Sequence, residues 1–305
     1  MLCQVLFIFS CEYCIVVMKI TNACYMNKSF LLYPLLIMTF FTGCSAPKQE
    51  NVQFNAYPPR PLEDYFEDAP PIQPTETKKE TDVWDTSDID ISYVQKDRKL
   101  ISFTFDDGPS KTMENILAVF AEYNERNPDC RATATFFLNG GVILPDDTSL
   151  LQTATLLGFE LGNHTHSHFD LTSLDKETLQ TEIEKTDALL EKIDGKSRHL
   201  LRPPFGRING EVKAQLAVPV INWSIDTLDW TGNSEEKIYQ SVYTARFSGA
   251  IVLMHDGYRA TVNALKRLLP DLKADGYQIV SVSALAKAHG CALRNGSEYI
   301  RARKQ

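Results

Sequence analysis

Leu100-Ile101-Ser102-Phe103-Thr104-Phe105-Asp106-Asp107-Gly108-Pro109 is an apolar run that ends abruptly in two adjacent carboxylates. The run reads as a buried strand. Gly-Pro continues neither strand nor helix, so the carboxylates sit at a strand end that opens into a loop. Rigid backbone on one side and solvent on the other suit such a position to chemistry. Neighbouring side chains diverge, which lets one carboxylate face a metal and the other a substrate. A plain acidic turn is the competing reading, since Asp-Gly pairs are common in turns.

Outward from this stretch, strands and helices alternate. Helical spacing covers 113–125, with Ile116, Leu117, Val119 and Phe120 apolar, and residues 132–138 read as a strand. A short helix over 148–157 and a strand over 159–163 follow. A long amphipathic helix over 176–193 stops at Asp194-Gly195, and a strand over 199–202 closes on Pro203-Pro204. Then come a strand over 218–225, a helix over 234–245, a strand over 250–254, a helix over 261–274 and a strand over 277–282. About seven β-α units predict a parallel sheet, and their number with no second break in composition predicts closure into a barrel. An open doubly wound sheet is the alternative, but no G-x-G-x-x-G follows the first strand.

Upstream, the composition changes. The 305-residue chain has a formal charge of −8 and no basic stripe, so nucleic acid is not an expected partner. Five of seven cysteines (Cys3, Cys11, Cys14, Cys24 and Cys44) precede residue 45, leaving Cys130 and Cys291, whose pairing the spacing leaves open. Met26-Asn27-Lys28 begins a short basic region before an apolar run over 30–41, the length of a signal-peptide core. Phe41-Thr42-Gly43-Cys44-Ser45 resembles a bacterial lipobox, with Phe41 in place of the usual Leu. Residues 1–44 are therefore expected to be a lipoprotein signal, with translation starting at Met26 or Met18 and Cys44 lipidated. Such an anchor implies a membrane partner and a location on the bacterial cell envelope, facing periplasm or exterior. Residues 45–98 hold seven of the fifteen prolines, with twelve acidic against six basic residues, and read as an extended tether reaching on the order of 100 Å. The remaining expectation is one catalytic domain over 99–290 and a C-terminal tail over 291–305, in a monomer.

The residues just after each strand form a constellation. They are Asp106-Asp107, His164-Thr165-His166-Ser167-His168, Arg202-Pro203-Pro204-Phe205-Gly206, Asp226-Thr227-Leu228-Asp229-Trp230 and His255-Asp256-Gly257. In a parallel barrel these ends meet on one face. Three of the six histidines fall within five residues. A continuing strand would put His164, His166 and His168 on one face, whereas a helical turn would pair His164 with His168. Two imidazoles with Asp107 would supply three metal ligands and an open position. His199 and His289 fit no motif and are expected to be structural.

Phe-Thr-Phe-Asp-Asp-Gly-Pro, His-Thr-His-Ser-His, Arg-Pro-Pro-Phe-Gly, Asp-Thr-Leu-Asp-Trp and Leu-Met-His-Asp, in this order, resemble the motifs of the polysaccharide deacetylases, carbohydrate esterase family 4. The resemblance runs from about Leu100 to Ala286. It implies a distorted (β/α) barrel of the α/β class and one divalent cation, zinc first, with cobalt, nickel or iron also suited. It also implies Asp107, His164 and His168 as ligands, Asp106 as general base and Arg202 as the group that orients it. His255 would be the general acid, with Asp229 raising its pKa. The Phe205 backbone N–H would help hold the oxyanion, and Trp230 and Leu253 would wall an acetyl-sized pocket. Phe205 stands where the family often has Tyr, and His166 lies inside the histidine motif as a competing ligand. The implied partner is an acetylated polysaccharide, with peptidoglycan, an exopolysaccharide and chitin-type oligosaccharides as candidates and O-acetyl esters open. A non-catalytic carbohydrate-binding envelope lipoprotein on the same barrel is the rival; a metalloprotease is disfavoured by the absence of H-E-x-x-H. The loops 143–149 and 207–211 are candidates for substrate contact.

Overall fold

The computed structural model describes residues 6–11, 14–19 and 83–303. Strands β1 (Leu6–Cys11) and β2 (Cys14–Lys19) pair antiparallel within a separate unit. Cys44, most of the expected signal over 1–44 and the tether up to residue 82 lie outside the described residues. Among the described residues no helix is long and apolar enough to cross a membrane.

Strand β3 (Lys99–Gly108) is the centre of the second unit, and Leu100 to Asp106 are buried. Its two faces differ in kind, because successive side chains point to opposite sides. Ile101, Phe103 and Phe105 face the helices, where Phe105 stacks on Phe136 at 5.1 Å and meets Phe120 edge-on. Ser102, Thr104 and Asp106 alternate with them on the other face and are equally buried.

Parallel neighbours flank β3. On one side β4 (Thr135–Leu138) pairs with it, followed by β5 (Glu160–Asn163). On the other side β8 (Ile251–His255) pairs with Ser102 to Asp106, followed by β7 (Ile225–Asp226). Single-residue bridges from Asn163 to Leu201 and from Leu201 to Val220 carry the sheet on from β5 to β6 (Val220–Ile221). β9 (Tyr277–Ile279) pairs with the start of β3. The helices α1 (Met113–Arg126), α2 (Thr148–Leu156), α3 (Lys176–Asp194), α4 (Gly210–Lys213), α5 (Glu235–Ala245), α6 (Arg259–Ala274) and α7 (Val282–His289) complete a distorted (β/α) barrel. The ends of α3 are those the sequence marks: the Asp175 side chain accepts from Thr178 N–H at 2.8 Å, and Gly195 turns out at φ 77°.

The structure departs from expectation in four places. The strand over 199–202 reduces to bridges at Leu201, and beyond it the Arg202 carbonyl is taken by His164 Nδ1. The strand over 218–225 is split into β6 and β7. Residues 282–289, whose start read as more strand, form α7, capped by Ser281 accepting from Ala284 N–H. Finally, the fold extends beyond 99–290 at both ends. Trp84, Ile89, Ile91, Tyr93 and Val94 pack on an apolar cluster with Leu100, Val280 and Leu285, and Trp84 N–H donates to the Leu293 carbonyl. Residues 291–302 belong to the same cluster through Cys291, Leu293, Tyr299 and Ala302, and β10 (Glu298–Tyr299) pairs with β6. Cys130 and Cys291 are buried free thiols.

Candidate active site

At the C-terminal ends of the strands the expected residues meet. Asp106 and His255 are register partners on the adjacent strands β3 and β8. Asp107, at the next position, turns away with φ 68°. Its Oδ1 lies 3.4 Å from His164 Nε2 and 3.3 Å from His168 Nε2. One donor atom from each of these three residues falls within 4.8 Å of the others, close enough for one cation to reach all three. His164 Nδ1 donates to the Arg202 carbonyl at 2.7 Å, which fixes the tautomer and leaves Nε2 for the cluster. Donor types, spacing and tautomer thus fit a divalent cation. Burial would raise the Asp107 pKa, but hydrogen bonds and charge from the two imidazoles outweigh it and hold the carboxyl well below the usual range.

Neither regular pattern considered for the histidines is adopted. Thr165 and His168 have φ of 67° and 57°, so 164–168 is an irregular loop. His166 is outside the cluster; its backbone N–H is bonded to Glu182 of α3.

Arg202 is fully buried inside the barrel. It stacks 4.2 Å from the centre of the Phe137 ring. Its Nε donates to the Ile221 carbonyl at 2.9 Å, and its Nη1 donates to Thr104 Oγ1 at 2.5 Å and Asp106 Oδ1 at 2.7 Å. Asp106 Oδ2, the other oxygen, is 3.8 Å from His164 Nε2.

His255 is held from behind. Its Nδ1 lies 2.7 Å from Asp229 Oδ1, and Asp229 Oδ2 accepts from His255 N–H at 2.9 Å and from Thr261 Oγ1–H at 2.7 Å. Burial lowers the imidazole pKa, but Asp229 together with the charges of Asp106 and Asp107 reverses this and pushes it up to about 9. Asp256, one residue on, accepts from Ser110 N–H, Ser110 Oγ–H and Thr112 Oγ1–H at 2.7, 2.8 and 2.9 Å, and its own N–H donates to the Asp106 carbonyl.

Phe205 and Trp230 stand exposed at the rim, and the Phe205 ring lies edge-on to His168 at 4.8 Å. Leu253 is buried, with Thr104 and Asp226 as its register partners. Of the two expected contact loops, 207–211 runs into α4 at Gly210, with Arg207 paired to Asp170 at 2.8 Å, and 143–149 runs into α2 at Thr148, with Leu144 exposed. All five non-glycine residues with positive φ among those described (Asp107, Thr165, His168, Phe205 and Leu228) lie at or just beyond the C-terminal ends of the strands. Backbone of this kind costs on the order of 1 kcal/mol or more per residue and concentrates where function requires a fixed side-chain direction. Thr104 and Asp256 fall inside the motifs but were given no role from sequence, and Thr261 was not singled out; a Thr on the Asp106 face of the strand and an Asp directly after His255 were the available signals.

The carboxylate of Asp106 and the imidazole of His255 thus lie beside three residues that could hold one cation, at the mouth of a (β/α) barrel. The chain belongs to the polysaccharide deacetylase family, whose model matches residues 93–218. It is 34% identical over 193 residues to the peptidoglycan-N-acetylmuramic acid deacetylase PdaC of Bacillus subtilis, covering 63% of this chain but only 40% of that protein. It is also 34% identical over 203 residues to a peptidoglycan-N-acetylglucosamine deacetylase of Bacillus cereus, covering 64% of this chain and 91% of the relative. A solved structure of PdaC superposes with a TM-score of 0.59 at 34% identity, over 64% of this chain and 93% of that one.

Proposed function

We propose that the chain is a metal-dependent hydrolase that removes acetyl groups from N-acetylated sugars of an envelope polysaccharide, giving amine and acetate. The observation that carries this reading is the register pairing of Asp106 with His255 beside the Asp107, His164 and His168 cluster. Bound by those three residues, a divalent cation, zinc first, supplies Lewis acidity toward water and the acyl oxygen. Asp106, fixed through Oδ1 by Arg202, keeps Oδ2 to take the proton of the attacking water. His255, protonated and oriented by Asp229, gives a proton to the departing nitrogen. The Phe205 backbone N–H serves the oxyanion, and Phe205, Trp230 and Leu253 shape the acetyl pocket.

Peptidoglycan is the first candidate substrate, because relatives matched here are peptidoglycan deacetylases. A lipid at Cys44 and the proline-rich segment that follows would hold the domain at the envelope. The test is acetate release from peptidoglycan, poly-N-acetylglucosamine, chitin oligomers and acetylxylan by zinc-loaded protein. Release abolished by Asp106→Asn supports the reading; no release from any substrate overturns it, and ester-only release redirects it to O-deacetylation. Globomycin sensitivity of processing tests the anchor, and a mature N-terminus elsewhere than Cys44 would refute it.

A further inference from the structure

Beneath the His164–His168 loop, α3 turns an unusually polar face inward. Glu182, Thr186 and Asp187 are all buried on this helix, whereas Glu177, Glu184, Glu191 and Lys192 are exposed. Glu182 Oε2 accepts two consecutive backbone N–H groups, His166 at 3.1 Å and Ser167 at 2.6 Å. These are the residues between the two proposed imidazole ligands.

The start of the loop is held from the same helix. Asn163 Oδ1 accepts Thr165 N–H at 2.8 Å, and Asn163 Nδ2 donates to the Ile183 carbonyl and to Asp187 Oδ1, both at 2.9 Å. Asp187 in turn meets the buried His199 at 2.9 Å, with Asp194 on the far side of that ring at 3.2 Å. Thr165 and His168 adopt left-handed backbone, a conformation that β-branched threonine takes only under constraint. Local hydrogen bonds must therefore hold the loop, and a carboxylate accepting two backbone N–H groups is among the stronger ways to do so.

We propose that Glu182 is a positioning residue for the metal-ligating pair His164 and His168: its carboxylate clamps the intervening backbone so that both Nε2 atoms face Asp107. The proposal rests on the deacetylase reading only in taking that cluster as the metal site. A ligand pair held in advance binds a cation without first ordering a strained loop, so loss of the clamp appears as lost affinity.

The experiment is zinc affinity of the full chain by competition with a chromogenic chelator, alongside circular dichroism of the metal-free protein. Glu182→Leu, of similar size but with no acceptor, is expected to bind zinc about 10- to 100-fold more weakly. Glu182→Gln keeps an oxygen able to accept both N–H groups and is expected to stay within about threefold of wild type. Should Glu182→Leu fail to fold, Glu182→Ala is read by the same criterion. Wild-type affinity in the Leu or Ala variant overturns the proposal, as does an equal loss in the Gln variant. A wild-type chain that takes up no zinc overturns the metal reading itself, an outcome distinct from either.

Discussion

Arg202 and Asp106 form an ion pair at 2.7 Å in which neither side chain is more than 4% exposed. Removing one partner of such a pair leaves the other as an uncompensated buried charge. Asp106→Asn is therefore expected to cost about 3–5 kcal/mol of stability as well as about 10²- to 10⁴-fold in turnover. Urea denaturation and acetate release measure the two effects separately. A variant inactive at undiminished stability would show that the guanidinium finds other support, for which Thr104 and the Ile221 carbonyl are the candidates.

Asp229→Asn tests the acid. His255 is raised from 6.5 to about 9, chiefly by its bond to Asp229 working against burial. Turnover should fall as pH rises through the imidazole pKa, since the proton donor is then lost. In Asp229→Asn the alkaline limb should move toward neutrality, and a bound cation would pull both limbs down together. A profile unmoved by the substitution would remove His255 from the acid role.

His199 makes a prediction independent of activity. Burial opposes its charge, but Asp187 and Asp194 prevail and its pKa rises to about 9. A folded-state pKa above the unfolded one stabilises fully below about 6.5, and that contribution disappears as pH climbs through about 9. The urea midpoint of wild type should fall between pH 6.5 and 9.5. His199→Gln should start about 3–5 kcal/mol lower and fall less steeply. Parallel curves for the two proteins would contradict the assignment.

The histidine motif is separable by metal-dependent melting. Zinc at 100 times its dissociation constant should add about 2.7 kcal/mol to wild-type stability. His168→Ala should lose nearly all of that gain and His166→Ala almost none, because His166 lies outside the cluster. Equal losses would place His166 among the ligands.

Deleting 291–305 should destabilise the domain by at least about 3 kcal/mol, since it removes the buried side chains of Leu293 and Tyr299. Thermal melting of the truncated chain checks this. An unchanged transition would mean that β10 is an ornament on the sheet.

The sheet, its parallel sense and the gathering of Asp106, Asp107, His164, Arg202, Asp229 and His255 were legible because apolar runs ending in charged residues announce strand ends. The boundaries were less so. Val280 to Ala284 alternates like a strand, yet Ser281 caps a helix there, and the competition was settled by packing against Tyr299 and Leu100. The ligand set could not be read from spacing, because 164–168 adopts neither period. Its left-handed residues are Thr and His, where sequence reading expects Gly. Glu182 was invisible for another reason: on α3 it looks like Glu177, Glu184 and Glu191, and only the loop lying over it distinguishes it.

The attachment of residues 83–98 has a mechanical consequence. Tyr93 reaches Thr133, and Gln95 reaches Gln278, just where the strands begin, while Asp106 and His255 stand at the strand finish, on the order of 20 Å along β3. The segment is fastened at this floor of the barrel through Leu293, Lys287 and Gln278, well away from the mouth. Were the proposed anchor at Cys44 to load the chain, Asp106 and His255 would lie at the far end of β3 from the point of attachment, as a leash clipped to a harness leaves the head free.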